Sequence, residues 1–85
     1  DRRLRYHRPM RAHLVQLDIQ WEDKPANFRR VAKLLDRAAL SPEPGELIVL
    51  PEMFDTGFSF NLGSTADKDG TTLRFLQALA RETGC

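Results

Sequence analysis

Cys85 is the only cysteine in the 85 residues. No internal disulfide can form, so packing and hydrogen bonds must hold the fold, and a reducing, cytoplasmic setting is expected. No apolar run approaches the ~18 residues that a membrane-crossing helix needs. No apolar core follows the basic first residues either, which argues against a secretory signal. Charge of one sign is also scarce, since 13 Lys and Arg oppose 12 Asp and Glu for a formal balance of +1. That balance is too even to point to nucleic acid or a membrane surface as a partner. His7 and His13 have no companions at metal-ligand spacing, so no metal is expected. Gly57, Gly63 and Gly70 do not make a phosphate-cradling pattern, so no nucleotide or other cofactor is expected. Internal repeats, low-complexity tracts and a second domain are missing as well.

The small basic excess is local. Arg2, Arg3, Arg5 and Arg8 face only Asp1 within residues 1–9, and without that stretch the formal charge falls from +1 to −2 by count. Met10 stands immediately before the first strand-like run. Residues 1–9 are therefore expected to be leader or appended sequence, with a basic targeting or nucleic-acid arm as the alternative. Residues 10–85 are expected to be the incomplete first part of one domain.

Residues 12–17 place Leu14, Val15 and Leu17 around His13 and Gln16, a partly alternating run that predicts a strand. A helix is predicted over residues 25–40, with Pro25 in its first turn and Asp23 a better cap than Lys24. Phe28, Val31, Ala32, Leu35, Ala38 and Ala39 recur at the spacing of one helical face. Arg29, Arg30, Lys33, Asp36 and Arg37 fall mostly on the other face, which is expected to be solvated. Residues 41–45, Ser-Pro-Glu-Pro-Gly, end that helix, because proline lacks an amide donor and restricts the residue before it. The wholly apolar run 47–50 predicts a strand buried on both faces of a sheet. Strand, helix and strand with short links form a βαβ unit, so the fold class is α/β with a parallel sheet. Residues 53–69, rich in Gly, Asp, Asn, Ser and Thr, predict a long loop near a site. A second helix follows over residues 71–83, with Leu73, Leu76, Leu79 and Ala80 as its apolar positions and Gly84 ending it.

Ligand sites in open parallel sheets lie just beyond the carboxyl ends of the strands. Glu52 occupies that place, directly after Leu50-Pro51. Partial desolvation there would raise its pKa and suit it to act as a general base; the alternative is an ordinary solvated loop acid or a cap partner. Met53 and Phe58 flank it closely enough to line a substrate pocket, or else pack to fix the loop. Cys85 is read as a small buried residue at the start of a third strand, not as a nucleophile, because nothing nearby suggests the electropositive, accessible setting a reactive thiol needs.

Val15-Gln16-Leu17-Asp18 closing a first strand, Asp23 and Asn27 opening a helix, and Leu47-Ile48-Val49-Leu50-Pro51-Glu52 followed by Thr56-Gly57-Phe58 resemble the amino-terminal signature of the nitrilase superfamily. The resemblance runs from about Arg11 to Cys85. Trp21-Glu22-Asp23 and Pro51-Glu52-Met53-Phe54-Asp55-Thr56-Gly57-Phe58 look most like its omega-amidase branch, which hydrolyses 2-oxoglutaramate and related 2-oxo acid amides. The family cleaves carbon-nitrogen bonds with a Glu, a Lys and a Cys, and the Glu carries over onto Glu52. The resemblance implies a general base at Glu52, a Lys and a Cys beyond residue 85, and no activity from these residues alone. It further implies the amino-terminal part of a four-layer α-β-β-α sandwich, a small amide as substrate, and a homodimer or larger assembly. Two other readings stand beside it. One keeps the family but changes the substrate to a nitrile, a carbamoylated amine or a glutamine; the other is a non-catalytic α/β interaction module.

Overall fold

The computed structural model describes residues 10–38 and 45–85. The leader reading of residues 1–9 and most of the helix-breaking segment 41–45 lie outside the described residues.

The first predicted strand forms as β1 over Ala12–Leu14, and the apolar run forms as β2 over Leu47–Val49. They pair in parallel, with Ala12 opposite Leu47, His13 opposite Ile48 and Leu14 opposite Val49. β1 is shorter than its apolar pattern. The Val15 amide still donates to Val49 O at 3.0 Å, but β2 then runs into Pro51, which has no amide with which to continue a ladder. The expectation that β2 is buried on both faces is corrected. Leu47 and Val49, which share one face of the sheet, remain 49% and 44% exposed, and β1 is the only strand beside β2 among the described residues.

Between the strands runs α1, Lys24–Arg37. Asp23 caps it by accepting from the Ala26 amide at 3.1 Å, satisfying one of the amides that every helix start leaves without an internal partner. Val31 is fully buried, while Arg29, Arg30, Lys33, Asp36 and Arg37 are all exposed, as the periodicity predicts. Strand, helix and parallel strand make the βαβ unit, and the chain is α/β.

The long loop is also corrected in one place, since it contains a single helical turn, α2, at Leu62–Thr65. Asn61 O closes that turn by accepting from the Thr65 amide and from Thr65 Oγ1 at 3.1 and 2.8 Å, a local side-chain bond available to Thr at such a position. The second predicted helix forms as α3, Thr71–Thr83, and ends at Gly84 in the left-handed conformation, φ 75°. Asp67 reaches its open end, where Oδ1 accepts from the Thr72 amide at 2.8 Å and Oδ2 from the Leu73 amide at 3.0 Å. These bonds, led by that from Thr72, hold the Asp67 carboxyl below the usual carboxylate range. The inward face of α3 differs from the predicted one. Leu73 and Leu76 are exposed, whereas Thr72 is buried and Phe75 turns inward to stack on Phe28 of α1, with ring centroids 4.3 Å apart and planes 7° apart. Apolar spacing identifies a stripe but not which of two neighbouring stripes meets a partner.

At the opposite end of the sheet from Glu52, Glu46 is 6% exposed. It accepts from Arg11 Nε at 2.8 Å and from His13 Nε2 at 2.7 Å, joining β1 to the entrance of β2. The bond from His13, then that from Arg11, holds its carboxyl below the ordinary value of 4.5. A carboxyl with a depressed folded pKa contributes stability that is fully present above its unfolded value and is lost as pH falls through the folded one. Thermal melts of the complete protein between pH 7 and 3 will therefore show a loss concentrated below about pH 4.5, and Glu46→Gln will flatten that acid-side slope. An unchanged slope in the variant would remove this cluster from the acid response.

Candidate active site

Because β1 and β2 are parallel, the loops that leave them emerge at one end of the sheet. The segment after β1, residues 15–23, and the segment after β2, residues 50–57, are tied there by backbone and side chain. The Glu22 amide donates to Thr56 O at 2.8 Å. Asn27, fully buried, accepts from the Gln20 amide at 2.7 Å and donates through Nδ2 to Gln20 O at 2.8 Å and to Asp55 O at 2.7 Å. Its amide thus spends its hydrogen-bonding capacity on two loops from two strands. Ser59 Oγ adds a bond of 2.6 Å to Glu22 Oε1.

The chain after Pro51 is a tight turn. The Phe54 amide donates to Pro51 O at 3.1 Å, and the Thr56 and Gly57 amides both donate to Met53 O at 3.3 and 2.8 Å. Met53 has φ 54° and Gly57 has φ 78°. The left-handed region is ordinary for glycine but costs a side chain such as that of Met on the order of 1 kcal/mol or more, and it persists only where the surroundings fix it. The surroundings here are Phe54, 8% exposed and in tilted contact with Phe28 and Phe75 at centroid distances of 6.1 and 6.2 Å, and Asp55, whose Oδ2 accepts from Thr72 Oγ1 at 2.9 Å. At Gly57 the second loop also passes close to Trp21 of the first. A Cβ there would meet Trp21 Cε3 at 3.0 Å.

Glu52 stands at the head of this turn, at the carboxyl end of β2 as the sequence predicts. Its predicted desolvation is corrected: Glu52 is exposed, because the next inward-pointing residue of the turn is Phe54. Met53 and Phe58 are 47% and 65% exposed. Phe54, by contrast, is buried, and no spacing rule singled it out from Phe58 and Phe60. Cys85 follows Gly84, is half-buried, and its amide donates to Thr83 Oγ1 at 3.3 Å. An open groove lies between residues 16–20 and the solvent side of α1, bordered by Asp18, Arg29, Arg30, Lys33 and Arg37, and it includes none of Glu52, Met53 and Phe58. Basic side chains in an open groove on a solvated helix face supply no converging polar group, whereas the strand ends do. Among the described residues no three His, Cys, Asp or Glu side chains gather as a metal site, and no helix is long and apolar enough to cross a membrane.

A parallel βαβ unit that presents an acid from a stiffened turn at its carboxyl end is the arrangement of an α/β protein with its site at the strand ends. The profile of the carbon-nitrogen hydrolase family matches residues 11–85, and the chain belongs to that family, within the nitrilase superfamily that its motifs resemble. It is 37% identical over 76 residues to a protein named nitrilase from Pyrococcus abyssi (strain GE5 / Orsay), covering 82% of this chain and 28% of that relative. It is 42% identical over 53 residues to a protein named omega-amidase YafV from Yersinia enterocolitica, covering 62% of this chain and 19% of that relative. The chain thus spans less than a third of either. No solved structure gives a significant match.

Proposed function

We propose that this chain is the Glu-bearing part of an amidase that hydrolyses small 2-oxo acid amides, such as 2-oxoglutaramate, with Glu52 as general base. The observation that carries the reading is the contrast at the head of the turn: Phe54, Asp55 and Gly57 are held by neighbouring elements, while Glu52 is presented outward at the strand end. The similarity to an omega-amidase over 53 residues supports the substrate class. In this reading the nucleophilic Cys and the Lys come from chain beyond residue 85. Glu52 takes the thiol proton as sulfur bonds to the amide carbon, and the Lys stabilises the resulting oxyanion. The carbon-nitrogen bond then breaks, ammonia leaves with the proton returned by Glu52, and a thioester remains. Glu52 next takes a proton from water as it attacks the thioester, releasing the acid and the thiol. Met53 and Phe58, both exposed beside Glu52, line the amide pocket. The complete domain is a four-layer α-β-β-α sandwich whose further layers cover the open faces of β2 and α3, and it assembles as a homodimer or larger.

A nitrile substrate is the second reading, favoured by the longer match to the protein named nitrilase. Ammonia release by the complete enzyme separates the two. Release from 2-oxoglutaramate with none from aliphatic nitriles is the expected result. Release from nitriles alone would move the assignment to the second reading, and release from neither would overturn both.

A further inference from the structure

We propose that Asn27 is the positioning residue for Glu52, acting through the backbone of the turn that carries it. The inference rests on the reading of Glu52 as general base. Asn27 is the one fully buried polar side chain among the described residues. All three of its side-chain hydrogen bonds, at 2.7, 2.8 and 2.7 Å, go to backbone groups of the two loops at the strand ends. It touches nothing that reacts. Its place on the first full turn of α1 is fixed by the Asp23 cap and by its own amide, which donates to Asp23 O at 3.1 Å.

The bond from Asn27 Nδ2 to Asp55 O bears on Glu52 because of where Asp55 lies. Between them stand only Met53, in the left-handed conformation, and Phe54, whose ring abuts the stacked pair of Phe28 and Phe75. A non-glycine residue relaxes from a positive φ when its neighbours release it, and relaxation at Met53 swings the peptide that follows Glu52. Thr72 holds the side chain of Asp55 from α3, and Asn27 holds its carbonyl from α1. The turn is therefore clamped on both sides, and the exposed carboxylate inherits its direction from buried groups. A displacement on the order of 1 Å at a reacting group costs about a hundredfold in rate. The effect falls on kcat rather than KM when the group acts only in the transition state.

The test uses the complete enzyme carrying Asn27→Ala, Thr72→Val or Glu52→Gln, each assayed for kcat and KM at a temperature where circular dichroism reports a folded protein. The expected result for Asn27→Ala is a fall in kcat of about a hundredfold with KM little changed, by the displacement argument. Thr72→Val, which removes one anchor of two, loses less and in the same direction. A folded Asn27→Ala enzyme with unaltered kcat, or one whose loss appears in KM alone, overturns the positioning role. Should Asn27→Ala fail to fold, Thr72→Val decides by the same split. Glu52→Gln keeps the two claims apart: if it retains turnover, the general-base reading itself is overturned; if it is inactive while Asn27→Ala turns over normally, only the positioning role falls.

Discussion

Replacing Glu52 by Gln in the complete enzyme will lower turnover by at least about a hundredfold and up to about 10⁴-fold, the range that positioned general bases supply, while the melting temperature stays where it was. Both halves follow from what Glu52 touches. Its side chain is exposed and has no hydrogen-bond or ion-pair partner among the described residues, so the near-isosteric amide disturbs no packing. The same amide cannot accept the proton that a thiol or a water must give up. A stopped assay for ammonia, run beside a thermal melt, reads both quantities. Near-normal turnover would remove Glu52 from the chemistry.

Two residues further on, the opposite outcome is expected. Phe54→Ala will cost about 3–5 kcal/mol, the range for truncating a buried aromatic side chain, and complete domains commonly have only about 5–15 kcal/mol in hand. Phe54 is the residue through which the turn enters the protein, since its ring meets both Phe28 of α1 and Phe75 of α3. Those two rings stack on each other, and truncation leaves a hole beside them that the helices can close only by moving together. Urea titration will show an earlier midpoint. Turnover below the melt will also fall, because Met53 loses one of the groups that hold its unfavourable conformation. A midpoint equal to that of the parent would mean that the three rings are not a unit.

This contrast between neighbours also marks where the sequence was legible. The βαβ unit was readable because the apolar run 47–50, the 3.6-residue spacing through Val31 and the Asp23-Pro25 start are local signals. The position of Glu52 was readable because the run before it forms the strand whose carboxyl end it follows. Burial at β2 and α3 was not readable. Whether Leu47 and Val49 are covered depends on which elements lie against the sheet, and whether Leu73 or Phe75 faces inward depends on where α1 sits. Asn27 entered the family resemblance as a residue that opens a helix; its link to Asp55 joins positions 28 apart, a separation that no spacing rule reaches. Glu46 escaped for the same reason, since Arg11 and His13 lie 35 and 33 residues away from it. A buried Asn or Glu is informative only once its partners are known.

Trp21, the only tryptophan in these 85 residues, lies against Gly57 where the two loops meet, yet remains 64% exposed. An indole poised between protein backbone and water makes a native optical probe. Its emission colour and its quenching by iodide track whether the loop after the first strand is seated on the loop after the second, with no label introduced.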